Sequence, residues 1–197
     1  GYGAAGLPLD REATTRALGF DATHEPVTAV QLSRGKAEAQ LLFEIALVMQ
    51  DLARLASDLL LYCTQEFAFV ELPDSFTTGS SIMPQKRNPD VFELLRGRSA
   101  TALACLTEAL AICAKLPSGY QRDLQLLKAP LFRAIDLCGL SLSIAVPALD
   151  GLRFAPERIR IDPSVNAAAE AYALVLAEGI PFREAYQRIG ARYTRKE

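Results

Sequence analysis

The chain has 197 residues, 50% of them hydrophobic and 22% charged, which is enough apolar material for a real core and excludes a disordered tail. Lys plus Arg number 21 against 23 Asp plus Glu, a net charge of −2, so nothing marks nucleic acid as a partner. Four cysteines (Cys63, Cys105, Cys113, Cys138) stand in apolar runs without CxxC spacing and read as reduced core thiols of a cytoplasmic protein. The single histidine, His24, cannot alone build a metal site or a charge relay.

The first methionine is Met49 and the chain opens on Gly1-Tyr2-Gly3, which reads as a piece of a longer polypeptide whose N-terminal domain is absent. No basic segment followed by an apolar one suggests a leader. The uncharged run 137–149 is shorter than the ~18 residues of a membrane span. Residues 9–18 predict a short helix with Asp10 near its start, and 20–29 a loop. From 33 to 67 there is no proline, and no glycine after Gly35. A helix there would run about 50 Å. Its polar residues Gln40, Glu44, Asp51, Arg54 and Asp58 share one narrow stripe, and nearly all else is apolar. Such a helix must be covered by several neighbours, which predicts a bundle completed by other chains or by more of this one.

Residues 71–87 break the helical pattern with Pro73, Gly79 and Pro84, a long loop of the kind that carries function or is disordered. Asn88-Pro89-Asp90 then predicts a helix start, with Asn88 as the N-cap and Pro89 in the first position. That helix runs to about 116, and its small-residue middle, 99–107, would let neighbours approach closely. Pro117-Ser118-Gly119 marks a turn. The next helix covers roughly 123–149, disturbed by Pro130 and ending near Pro147, with 137–146 deeply buried. Short pieces follow at 156–159, 167–178 and 181–192, and no strand is expected.

The segment from Thr78 to Asp90, Thr-Gly-Ser-Ser-Ile-Met-Pro-Gln-Lys-Arg-Asn-Pro-Asp, combines a glycine, two hydroxyls, a lysine and an asparagine at a helix start. Exposed N–H groups, a helix N-terminus and Lys86 suit an anion, most simply a carboxylate. An ordinary polar connector fits the same residues.

Gly79-Ser80-x-x-Met83-x-x-Lys86-x-Asn88 resembles the signature of the fumarase/aspartase superfamily, a pattern met by chance about once in 10⁴–10⁵ chains of this length. Within it, Pro-Gln-Lys-Arg-Asn-Pro-Asp at 84–90 resembles the argininosuccinate lyases. So do Leu7-Pro8-Leu9-Asp10-Arg11-Glu12, Leu18-Gly19-Phe20, Glu66-Phe67-x-Phe69-Val70, Gly119-Tyr120-x-x-Asp123-Leu124-Gln125 and Ile180-Pro181-Phe182-Arg183-Glu184-Ala185. The similarity covers nearly the whole chain as the C-terminal part of a protein about twice as long.

The resemblance implies an all-α fold. Residues 1–160 would be the C-terminal part of the central long-helix domain, with the signature loop at 77–90, and 161–197 a small C-terminal helical domain. It also implies cleavage of argininosuccinate to arginine and fumarate by reversible β-elimination, without metal or organic cofactor. Ser80 would be the general base that takes the Cβ proton. Lys86 and Asn88 would hold the carboxylate that gains charge, with Ser81 beside them. Glu93 would orient a catalytic histidine supplied from outside this chain, and His24 does not match that histidine. Tyr120, Gln125 and Lys128 would contact substrate. Taken alone, the same residues read as a turn serine bonded to its own backbone (Ser80), a carboxylate on a helix dipole (Glu93), a turn aromatic (Tyr120) and a solvated charge (Lys128).

The implied assembly is a homotetramer with shared sites, acting on a small molecule, with no membrane or nucleic-acid partner. The chain departs from the family where Ser33-Arg34-Gly35-Lys36 stands for the usual Ser-Asp-Arg-Asp, and where Leu126-Leu127 replaces an acidic pair. Another fumarate-releasing lyase, or a crystallin-like homologue without catalysis, are the alternative readings.

Overall fold

The computed structural model describes residues 8–193. Leu7, which opens one of the family-like segments, lies outside them. The described residues form two compact units, one ending at Phe154 and the other beginning at Ala155.

The first unit begins with helix α1 (Arg11–Ala17), whose N-terminus is closed by Asp10: the carboxylate accepts the Ala13 N–H at 2.8 Å. The loop expected at 20–29 is shorter, because α2 (Val27–Leu32) starts directly after Pro26. Proline's fixed φ suits it to the position before a first turn, where no backbone donor is needed.

Three long helices follow: α3 (Lys36–Tyr62), α4 (Asp90–Cys113) and α5 (Lys128–Asp150). Helix α3 starts three residues later than expected and ends five earlier. At its start Gly35 adopts φ +87° and its N–H donates to Glu38 Oε2 at 2.9 Å. Its end is capped by Cys63 in ordinary helical backbone, and six residues past Tyr62 the chain turns at Ala68, with φ +48°. The buried stripe of α3 is Leu42, Ile45, Ala46, Met49, Ala56 and Leu59, at three- and four-residue spacing. Its main neighbour is α4, which offers Ala102, Cys105 and Ala109, all fully buried. Small residues there permit close approach, as their density in the sequence suggested.

The packing is antiparallel and falls into two cores. One joins the start of α3, the end of α4 and the start of α5 through Leu42, Met49, Cys105, Leu124, Leu127 and Ala134. The other joins the end of α3, the start of α4 and the end of α5 through Leu59, Phe92, Leu95, Ala145 and Ala148.

Two features of the third long helix differ from expectation. Residues 122–127 form a separate 3₁₀ turn and α5 begins at Lys128. Pro130 explains this: a proline fits a first turn but not a helix interior, so the α-helix starts just before it. Second, the apolar run 137–146 is buried on one face only. Ser141 and Ala145 are inside, whereas Leu140 is 52% and Val146 65% exposed, because two neighbouring helices cover one stripe. The 29 residues 122–150 are long and apolar enough to cross a membrane, contrary to the expectation from run length. In this chain α5 packs one face of small residues on α3 and α4 and leaves most of the stretch uncovered. Its Arg133 also donates to Glu108 Oε2 at 2.5 Å and to Cys105 Sγ at 3.2 Å.

A two-residue antiparallel pair, β1 (Val70–Glu71) with β2 (Arg153–Phe154), joins the segment after α3 to the segment after α5. With the isolated bridge Thr78–Asn88 it is the departure from an all-α fold seen among the described residues. Nearby, Gly151 lies against Pro73, whose Cγ is 2.4 Å from where a Cβ would stand.

The second unit is a hairpin of α6 (Ala167–Glu178) and α7 (Phe182–Tyr193) around Ala171, Ala185 and Ile189. Gly179 takes the left-handed position that ends α6, as Gly179-Ile180-Pro181 predicted.

Candidate active site

The signature segment leaves a 3₁₀ turn at Asp74–Phe76 and re-enters regular structure at α4. Its two ends meet. Thr78 N–H donates to the Asn88 carbonyl at 3.1 Å, and Asn88 N–H to the Thr78 carbonyl at 2.8 Å. The Thr78 hydroxyl donates to the Asp90 carboxylate, and Arg87 pairs with Asp74. Asn88 is therefore not the N-cap that its place before Pro89 suggested. Pro89 occupies that position, with no side chain closing the helix start. A residue before proline is held in extended backbone, and Asn88 uses that geometry for the two-way pairing with Thr78.

Within the closed loop, Ser80 Oγ accepts the Ile82 N–H at 3.3 Å and the Met83 N–H at 3.2 Å. Lys86 N–H donates to the Met83 carbonyl at 3.1 Å. Ser80 is half-buried, whereas Ser81 and Lys86 are exposed. A Cβ at Gly79 would meet nothing within 4 Å, so the space beside the two serines is open. Glu93 lies in the first turn of α4 and is exposed. A cleft of about 340 Å³ lies under the loop base, lined by residues including Cys63, Asp74, Thr77 and Arg87. Burial pushes the Cys63 thiol up from its ordinary pKa.

The second group of expected residues occupies the other end of the bundle. Gly119 turns the chain with φ +110°. Leu124 and Leu127 then anchor the 3₁₀ turn in the core, leaving Tyr120, Gln125 and Lys128 exposed. The 24 residues of α4 separate the two groups, about 36 Å at 1.5 Å per residue. Ser80, Ser81, Lys86 and Asn88 thus lie within the closed loop and Glu93 in the helix turn that follows it, whereas Tyr120, Gln125 and Lys128 lie past the far end of α4. The structure does not bring the two groups to one place in one chain.

Arg34, from the segment that departs from the family pattern, lines a small cavity with Gln31, Gly119 and Gln121 near the second group. Among the described residues, no three His, Cys, Asp or Glu side chains converge as a metal set would. The pairing of Thr78 with Asp90 and of Arg87 with Asp74 escaped sequence reasoning. Its only trace there is that these residues stand at or near the ends of the motif.

The chain is similar to argininosuccinate lyases of Sorangium cellulosum (48% identical over 196 residues, 96% of this chain and 45% of the relative) and Xylella fastidiosa (46% over 189 residues, 95% and 42%). It thus spans less than half the length of these curated relatives. Among solved structures, EDDS lyase in complex with formate superposes with a TM-score of 0.66 at 27% identity, over 94% of this chain and 37% of the other. A fumarate lyase/delta crystallin from Brucella melitensis shares the fold, with a TM-score of 0.65 at 18% identity over 89% of this chain and 44% of the other. A family model described as Lyase matches residues 4–103, a stretch that includes the whole closed loop and the start of α4. The chain belongs to this lyase family, within the fumarase/aspartase superfamily.

Proposed function

We infer that the full-length protein cleaves argininosuccinate to arginine and fumarate by reversible β-elimination, with Ser80 as the base. The observation that carries this reading is the signature loop itself, closed at its base by the Thr78–Asn88 pairing with Ser80 and Lys86 inside it; the N–H groups of Ile82 and Met83, the bonds an ordinary turn serine makes, also fall on Ser80 Oγ. A serine is a poor base in water. Donors directed at its oxygen favour the charged form and lower its pKa. At 3.2–3.3 Å they are long, and they tighten as the oxygen gains charge.

In the elimination, Ser80, as its alkoxide, takes the Cβ proton beside a carboxylate and becomes the neutral hydroxyl. The electron pair moves into that carboxylate to give an aci-carboxylate, and collapse of this species expels the guanidino nitrogen as the Cα–N bond breaks. Lys86 and Asn88 supply fixed donors where the negative charge grows, which lowers the barrier. The expelled nitrogen takes a proton from a group that this chain does not provide. Glu93, exposed beside the loop, orients a histidine from the remaining length of the protein. Tyr120, Gln125 and Lys128 hold the amino-acid end of the substrate.

The separation of about 36 Å supports sites completed between subunits, as in a homotetramer. One copy gives the loop and another the 120–128 segment. The apolar faces of α3 and α5 left uncovered in this chain support the same assembly. The chain by itself is then inactive.

A second reading, release of fumarate from another N-substituted aspartate, is favoured by two observations. EDDS lyase matches over 94% of the chain, and Arg34 lines the cavity beside the 120–128 segment. Fumarate formation followed by absorbance decides between them. Argininosuccinate as the preferred substrate supports the first reading, and its rejection with turnover of another adduct supports the second.

A further inference from the structure

We propose that Thr78 and Asp90 form a clasp that fixes the register of the signature loop and so aims Ser80. They would be positioning residues for the reaction, and this rests on the reading of Ser80 as the base.

Nine residues lie between Thr78 and Asn88, and a free loop of that length samples many arrangements. Three interactions remove that freedom at the base. The backbone pairing of Thr78 with Asn88 fixes which residue opposes which. A shift of one residue would send every side chain of the paired positions to the other face. The Thr78 hydroxyl, donating to Asp90, ties this pairing to the first turn of α4. A bond to a carboxylate is stronger than one between neutral groups, though Thr78 is exposed and water competes for its hydroxyl. Arg87 adds a third fastening through Asp74, but both side chains are more than half exposed, and such pairs contribute little.

The consequence falls on Ser80. Its oxygen is held by the N–H groups of Ile82 and Met83, both inside the clasped segment. Lys86 is tied to the same turn through the Met83 carbonyl. The base and the lysine therefore share one rigid unit whose orientation is set where the loop closes. Helix α4 is the rigid body to which that unit is referred, since Phe92 and Leu95, one turn on, are buried in the core.

The test uses the full-length enzyme and four variants: Thr78→Val, Thr78→Ser, Asp90→Asn and the double Thr78→Val with Asp90→Asn. Thr78→Val keeps the branched shape and the backbone pairing but removes the hydroxyl. It should lower kcat by about 10–10²-fold, the scale of a misplacement of about 1 Å, with KM changed less than about threefold. Thr78→Ser should restore kcat. Asp90→Asn combined with Thr78→Val should cost no more than the worse single change, because the two act through one bond.

Amide hydrogen exchange provides a readout independent of chemistry. Thr78→Val should speed exchange at Lys86 and Asn88, and Thr78→Ser should not. Normal exchange or normal kcat in Thr78→Val would overturn the clasp. So would additive losses in the double variant, which would mean that Asp90 acts on substrate by itself. If exchange changes as expected but the unaltered enzyme releases no fumarate from any adduct, the lyase reading fails and the positioning role fails with it. If fumarate is released and exchange does not change, the clasp alone fails.

Discussion

Ser80 and Ser81 are adjacent hydroxyls that the structure treats differently. Ser80 Oγ accepts two backbone N–H groups, and Ser81 is exposed. In the full-length enzyme, Ser80→Ala should lower kcat by on the order of 10²–10⁴-fold with little change in KM, and Ser81→Ala should cost less. Steady-state kinetics with circular dichroism checks both, and the reverse ranking would move the base by one residue. Gly35 is a second residue with a sharp expectation. Its φ is +87°, and a Cβ would stand 2.2 Å from Cys113 Sγ. Gly35→Ala combines backbone strain of about 1–3 kcal/mol with an overlap of similar cost, so a lowered unfolding midpoint in urea is expected. Cys113 should itself be a sluggish thiol. Burial, and then the negative charge of Glu38, push its pKa up, so less thiolate is present at pH 8.5 than in a free cysteine. Alkylation by iodoacetamide at that pH should be slower than for a reduced model peptide. Sequence alone singled out the serine, lysine and asparagine of the loop as candidates because their types and spacing form a motif. It was silent on Gly35 facing Cys113 because that approach joins residues 78 positions apart.

At the scale of elements, long apolar periodicity made the three long helices legible and placed their neighbours' small residues. Boundaries were less so, because α3 and α4 end without the glycine that stops α6. Ala68 and Lys115 take left-handed backbone at +48° and +62°, a role that sequence reading assigns to glycine or asparagine. Asn88 was misread for the opposite reason. Its type fits a helix cap, yet its backbone is committed to Thr78, a partner ten residues away. The short β1–β2 pair was likewise invisible, since two residues carry no period. That pair and Gly151 fix the end of α5 to the segment that launches the loop. Gly151→Ala would drive a methyl to within 2.4 Å of the Pro73 ring. It should therefore loosen Pro73 and the following 3₁₀ turn, seen as faster amide exchange at Phe76 and Thr77 with the long helices unchanged.

For the whole molecule, the decisive feature is how little of its apolar helix surface this chain covers. Phe43, Leu103, Leu110, Phe132, Leu140 and Val146 are each more than 40% exposed. Moving one such side chain out of water contributes about 1.5–3 kcal/mol when burial is complete. These six are already about half covered, so closing them off contributes about half of that each, a sum within the range of the cost of association, about 4–15 kcal/mol. The full-length protein should therefore sediment as an oligomer at micromolar concentration. Replacing Phe132 and Leu140 together by Glu should shift it toward smaller species, whereas a well-folded monomer of the unaltered protein would contradict this account. The sequence already signalled the problem through a helix apolar on most sides. The arrangement of copies is written in no single chain.

The distance along α4 has a genetic counterpart. If every site takes its loop from one subunit and its 120–128 segment from another, a defect in either segment disables only the sites that draw on it. Two inactive proteins, one carrying Ser80→Ala and one Lys128→Ala, would then repair each other when assembled together. With equal amounts and random mixing, about a quarter of the sites receive both sound segments. Co-expression of two dead alleles would thus restore about a quarter of normal turnover, while mixing after separate, stable assembly would restore none.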